Sequence, residues 1–153
     1  MSVVVFDGKC MAADYACLHN GVMLPVKKIF RLNDGSLLGI SGKSTLLKQL
    51  VDWANGGFNP AEIPPDQLNT DKSATLMHVT KTKGYTPKIQ IYENSTSPYD
   101  IDNKFAAIGS GIDAALGALH AGASAVNAVK ITALISPLVH MVGKEGPSVI
   151  QFK

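Results

Sequence analysis

The stretch MSVVVFDGKCMAAD, residues 1–14, decides the fold. Val3 to Phe6 is a β-branched and aromatic run, Asp7-Gly8 is the strongest short hairpin signal, and Lys9 to Ala13 runs back. A two-residue turn at Asp7-Gly8 predicts that Phe6 pairs with Lys9, Val4 with Met11 and Ser2 with Ala13, which sets Asp14 beside the chain terminus. A hydroxyl residue directly after Met1, on a strand rather than a frayed tail, is a candidate site. Removal of Met1 would leave Ser2 with a free α-amine, whose reference pKa is about 7.7–8. Such an amine can act as general base for its own side chain. A small residue after Met1 is also ordinary, so position alone leaves Ser2 open.

Residues 15–25 read as an irregular bridge with a turn at Asn20-Gly21. Val26 to Leu32 then reads as a strand, followed by the turn Asn33-Asp34-Gly35 and a second strand, Ser36 to Ile40. Along the first of these, Val26, Lys28, Phe30 and Leu32 share one face, and Lys27, Ile29 and Arg31 the other. Lys28 therefore stands in line with apolar residues. An ammonium there is costly unless a carboxylate pairs with it, it has a chemical task, or its head snorkels out at the strand end.

Gly39-Ile-Ser-Gly-Lys-Ser-Thr45 imitates a phosphate-binding loop, but that pattern needs a glycine five residues before Gly42, where this chain has Leu37. The better reading is a strand, a tight glycine turn and a helix from Ser44 to about Ala54. Its apolar stripe is Leu46, Leu47, Leu50, Val51 and Ala54, and Asn55-Gly56-Gly57 ends it. Phe58 to Ser73 is a Pro-, Asn- and Asp-rich loop with at most one helical turn. Thr75–Lys81 and Lys88–Glu93 are strands around a turn at Thr82–Pro87, and Asn94 to Asn103 is polar loop. Lys104 to Ile108 is a short buried strand ending in Gly109-Ser110-Gly111. Two helices follow, Ile112 to about Ala121 and, from a Ser124 cap, on to about Ile135, where Pro137 stops the second. Pro147 to Phe152 closes the chain as a strand. Strands, helix, strands, helices and strand make an α+β protein whose helices cover sheet faces.

A length of 153 residues suits one domain. Charged residues make up 17% of the chain, low against a typical ~25%, as expected where surface is hidden in an assembly. A net charge of +2 with scattered lysines argues against a nucleic-acid partner. Cys10 and Cys17 fit neither a metal site nor a disulfide scaffold, and His19, His78, His120 and His140 show no ligand spacing, so neither metal nor cofactor is expected. Asp7 and Lys9 interrupt the first apolar run, so no signal peptide is visible. The apolar stretch Ile131–Val142 is too short to span a bilayer and contains Pro137 and His140, which points to a cytoplasmic protein without a membrane partner.

The terminal hydroxyl residue, AAD at 12–14, VKKIFRL at 26–32, LLGISG at 37–42 and FAAIGSG at 105–111 together resemble the proteasome β-subunit and bacterial HslV peptidase family. The resemblance runs nearly the full chain in the same order. It implies a single domain over residues 1–153 with the four-layer αββα sandwich of the N-terminal-nucleophile (Ntn) hydrolases. The family has two long helices after its oxyanion glycine. This chain has one helix and then a proline-rich loop, so the first helical layer is reduced.

Carried over by position, Ser2 stands where the family has its catalytic Thr, Asp14 and Lys28 at its site Asp and Lys, Gly42 at the oxyanion-hole glycine and Ser110 at the site serine. The resemblance implies a peptidase acting on peptide or protein substrates inside a homo-oligomer, with an unfoldase as a possible partner. Two departures are visible. Serine replaces the usual threonine, and the Asp preceding a Ser-Gly-Gly that many members carry has no match in residues 135–146. The peptidase chemistry requires removal of Met1. The competing reading is a catalytically silent subunit that kept the sandwich as a building block, for instance with a viral assembly partner in a virion; fold alone does not choose between them.

Overall fold

The computed structural model describes residues 2–62, 74–82, 84, 86–137, 139 and 146–153. In chain order these form β1 (Val3–Phe6), β2 (Cys10–Ala13), β3 (Ala16–His19), β4 (Val22–Pro25), β5 (Ile29–Arg31), β6 (Leu37–Gly42) and a 3-10 turn, Ser44–Leu46, that runs into α1 (Leu47–Asn55). After a second 3-10 turn at Pro60–Glu62 come β7 (Ala74–Lys81), β8 (Pro87–Glu93), β9 (Tyr99–Ile101), β10 (Ala106–Gly109), α2 (Ile112–His120), α3 (Ala125–Ile135) and β11 (Ser148–Gln151). The strands build a sheet of order β10-β1-β2-β11, a second of order β5-β6-β7-β8-β9, and a separate β3-β4 ribbon.

Four layers follow from where alternate residues go. Val3, Val5, Cys10 and Ala12 pack with Ala115, Leu119, Ala128 and Val129 of α2 and α3. Their neighbours Val4, Phe6, Met11 and Ala13 turn the other way and meet Ile29, Leu37, Met77, Val79, Ile89 and Ile91 of the second sheet. On that sheet's far side, Leu38, Ile40 and Leu76 pack against Leu50, Trp53 and Ala54 of α1. The period of two thus divides each central strand between two cores, and the uninterrupted run Val3–Phe6 is wholly buried. Phe6, Met11, Leu37 and Met77 are fully enclosed between the sheets, each contributing about 1.5–3 kcal/mol relative to exposure. At Gly39 a Cβ would lie 2.5 Å from Val4 Cγ1, so only glycine lets the two sheets approach there. Among the described residues α1 is the only α-helix on its face, which is the reduced layer expected. No described helix is long and apolar enough to cross a membrane.

The first hairpin keeps its strands but not its expected register. Val4 faces Ala13 and Phe6 faces Met11. The Asp7 N–H donates to the Cys10 carbonyl at 3.2 Å, and Asp7 Oδ1 accepts from the N–H groups of Lys9 and Cys10 at 2.8 and 2.9 Å. Asp7 is therefore the last paired residue, and Gly8-Lys9 make the turn. Its side chain satisfies the turn's backbone donors, a use of aspartate that competes with placing it at the turn's centre. Asp7 Oδ2 also accepts from Ala125 N–H at 2.8 Å, fastening the start of α3. Because the pairing slips by two residues, each side chain keeps its intended face.

Other boundaries differ too. Residues 15–25 form a hairpin rather than an irregular bridge, with Asn20-Gly21 between β3 and β4. The strand expected from Val26 begins only at Ile29. Tyr99–Ile101, read as polar loop, pairs with β8 as an edge strand. Residues 63–73, and the stretch 140–145 that contains His140, lie outside the described residues.

His78 on β7 is buried, its ring 4.8 Å from that of Phe58. Its Nε2 is 2.9 Å from Ser36 Oγ, and Ser36 Oγ donates to Asp34 Oδ1 at 2.5 Å. Nε2 is thus the donor, and Nδ1 has no partner among the described residues. Burial pushes the imidazole below its ordinary 6.5, against the Asp34 carboxylate that raises it, while Lys88 adds to the lowering. The unfolded chain binds a proton at higher pH than the folded one. His78 therefore contributes stability that is complete above 6.5 and lost as pH falls through the depressed folded value. Thermal unfolding followed from about pH 7 down to about pH 5 should show this loss, and His78→Gln should flatten the profile. Equal slopes would assign the acid sensitivity to other groups.

Candidate active site

The site is assembled where β1 begins. Ser2 precedes β1 and is 2% exposed, held at both its backbone N–H and its carbonyl. Its N–H donates to Ser110 Oγ at 3.0 Å. Its carbonyl accepts from Ser110 Oγ and from Gly111 N–H, each at 3.3 Å. β10 pairs antiparallel with β1, Gly109 lying opposite Val3, so the Gly109-Ser110-Gly111 turn closes directly on Ser2. Gly109 has a φ of 105°, and a Cβ there would lie 2.3 Å from the Ser2 carbonyl oxygen. The turn needs glycine for both reasons.

On the other side, β2 delivers Asp14, which is completely buried. Its Oδ1 accepts from Val3 N–H at 2.9 Å, and its Oδ2 from Lys28 Nζ at 2.9 Å. Lys28 Nζ also donates to the Ala16 carbonyl at 2.7 Å. The lysine in line with apolar residues is thus buried and paired. Burial lowers its pKa from the ordinary 10.5, and the Asp14 carboxylate opposes that by charge and hydrogen bond. Asp14 joins the cation to the peptide that immediately follows Ser2.

Gly42 ends β6 at a φ of 135°. It lines both a cavity of about 660 Å³ that also borders Ser110 and one of about 340 Å³ that also borders Lys28 and Cys17. The false phosphate loop becomes the end of β6 and the start of the 3-10 turn at Ser44.

The structure therefore links Ser2, Asp14, Lys28 and Ser110 through hydrogen bonds, and sets Gly42 at the junction of the two cavities. Sequence reasoning missed Ser41, whose Oγ is 2.6 Å from Ser2 Oγ in a buried contact. The signal was available. Leu37, Gly39 and Ser41 share one face of β6, the face turned toward β1, and a hydroxyl there breaks an apolar pattern just as Lys28 does. Cys10, outside the site, is held protonated by burial and by Asp7, its pKa raised to about 11.

No protein-family model matches the sequence, and no curated protein matches it. Among solved structures the chain is similar to the crystal structure of eukaryotic HslV from Trypanosoma brucei, with a TM-score of 0.68 at 17% identity, over 98% of this chain and 97% of that one. The fold is like that of HslV, a layered sandwich as the sequence motifs implied. At that identity the likeness speaks for the fold, and the chemistry has to be argued from the residues.

Proposed function

We propose that this chain is a proteasome- and HslV-like subunit that cleaves peptide bonds with Ser2 as an N-terminal nucleophile once Met1 is removed. The observation that carries the reading is the buried Lys28–Asp14 pair, 2.9 Å apart and hydrogen-bonded to the peptide that follows Ser2. A buried ion pair is a poor investment in stability, and here it is placed beside a buried hydroxyl at the chain terminus.

The Lys28 cation disfavours a second positive charge and so keeps the Ser2 α-amine neutral. That amine accepts the Oγ proton as Oγ attacks the amide carbonyl. The Gly42 N–H is the proposed oxyanion donor; in comparable sites one such donor is worth about 2.7–4 kcal/mol. The tetrahedral adduct collapses as the ammonium returns its proton to the leaving amine. Water then attacks the acyl-Ser2 ester, assisted by the same amine, and frees Ser2. Ser110, hydrogen-bonded to both the nitrogen and the carbonyl of Ser2, holds the amine in place. The two cavities that Gly42 borders are the proposed room for the peptide.

Copies of the chain assemble in this proposal, because the outer face of α3 exposes Leu134 and Ile135 at 87% and 67%, an apolar surface suited to burial between subunits.

Mass spectrometry of the protein from its native source tests the reading under native and denaturing conditions. The expected result is an oligomer whose chains begin at Ser2, gain one acyl group from a β-lactone at Ser2, and fail to gain it after Ser2→Ala. Retained Met1 in the mature assembly, or a processed chain with neither adduct nor peptide turnover, overturns the enzyme and leaves the silent building block, of a virion or another assembly.

A further inference from the structure

Ser41 has no part in the chemistry so far, yet its hydroxyl is the nearest described partner of the nucleophile. The Ser2 Oγ to Ser41 Oγ distance is 2.6 Å, and both residues are buried. That is at the short end for a hydroxyl pair. Both ends of the contact are anchored. Ser41 lies inside β6, paired with Thr75 of β7, while the preceding Ile40 N–H donates to the Lys28 carbonyl at 2.9 Å. Ser2 is fixed through Ser110 and Gly111 behind it and through Asp14 on the next peptide. Neither backbone can drift away from the other, so the bond constrains the one remaining freedom, the Ser2 side-chain torsion.

A serine side chain has three staggered wells and no branch at Cβ to choose among them. A nucleophile that visits the wrong well cannot attack, and small misplacements cost rate steeply. On the reading of Ser2 as nucleophile, we propose that Ser41 is its positioning residue: the Ser41 hydroxyl holds Ser2 Oγ in a single well, as a β-methyl group would in a threonine. During attack the Ser2 proton goes to the α-amine, so the Ser41 O–H is the donor of the pair and keeps its proton throughout. Once Oγ belongs to the ester it has no proton to give, and the same donor still fits.

The test is a double-mutant cycle on protein with Ser2 terminal, read as the acylation rate by a β-lactone and as kcat and KM for a peptide. Ser41→Ala is expected to slow acylation and kcat about tenfold, the weight of one buried hydrogen bond, with KM and the pH midpoint of the amine unchanged. Ser41→Thr, which keeps the hydroxyl, should restore the rate. In a Ser2→Thr background the β-branch already limits the torsion, and Ser41→Ala should cost less than about threefold. A parent that reacts while Ser41→Ala reacts equally fast overturns this inference and leaves the peptidase reading standing. An equal cost in both backgrounds, or a shifted pH midpoint, overturns the torsional role. A parent that forms no adduct overturns the peptidase reading and this inference with it.

Discussion

Replacing Lys28 with alanine is expected to lower the free energy of unfolding by about 3–5 kcal/mol, the usual cost of removing one partner of a buried pair, and to abolish peptide turnover. The lysine is 6% exposed and its partner Asp14 not at all. Their 2.9 Å contact supplies the charge that balances the buried carboxylate, and alanine supplies none. Asp14 would then keep a buried carboxylate whose one remaining donor among the described residues is the Val3 N–H. The exposed Lys48–Asp52 pair, at 2.6 Å on the surface of α1, makes the control: Lys48→Ala should cost little, because solvent already screens that pair. The double variant Asp14→Asn/Lys28→Met removes both charges and should recover most of the lost stability without recovering activity. Denaturant titration with turnover assays separates these results. A Lys28→Ala protein as stable as the parent would mean that the pair is solvated, and the site reading would fall.

That lysine was legible because a charge stood where alternation demanded an apolar residue. The same logic explains what was hidden. The β3-β4 ribbon exposes Leu18, Val22 and Leu24 at 48%, 58% and 43%. It buries no continuous face, so its residues carry no clear period, and only the Asn20-Gly21 turn marked it. β9 is a three-residue edge strand of mixed polarity, Tyr99–Ile101, held by its partner rather than by its own propensity. The hairpin register was misplaced because a sequence shows that Asp7 and Gly8 favour a turn, but not whether aspartate's oxygens or its backbone do the work. Stacking of the layers was foreshadowed by Val3–Phe6, where four consecutive apolar residues require cover on both sides. Ser41 stays hidden because it falls in the false phosphate loop Gly39–Thr45, one residue past the strand expected over Ser36–Ile40, where alternation is not counted. Its meaning depends on Ser2, 39 residues away in sequence.

Gly109→Ala should be the most damaging glycine-to-alanine change among the described residues. Two penalties coincide at this position. A φ of 105° is hostile to any side chain and costs on the order of 1–3 kcal/mol. The new Cβ would also lie 2.3 Å from the Ser2 carbonyl oxygen, 2.9 Å from its carbon and 3.0 Å from Ser41 Oγ. The first two are backbone atoms of a buried strand end, so relief comes only by pushing Ser2 away from Ser110 and Gly111, at roughly a further 1–3 kcal/mol of overpacking. Gly122→Ala isolates the first penalty, since Gly122 has a φ of 93° and nothing within 4 Å of its would-be Cβ. Both variants should therefore unfold more easily than the parent, Gly109→Ala by the wider margin. Only Gly109→Ala should lose reaction at Ser2, because displacement of the terminus breaks the alignment of Oγ, amine and Ser41 together. If the two variants unfold alike and both retain acylation, the terminus is not held by the approach of β10, and the precision ascribed to the Ser2 site would have to come from elsewhere in the fold.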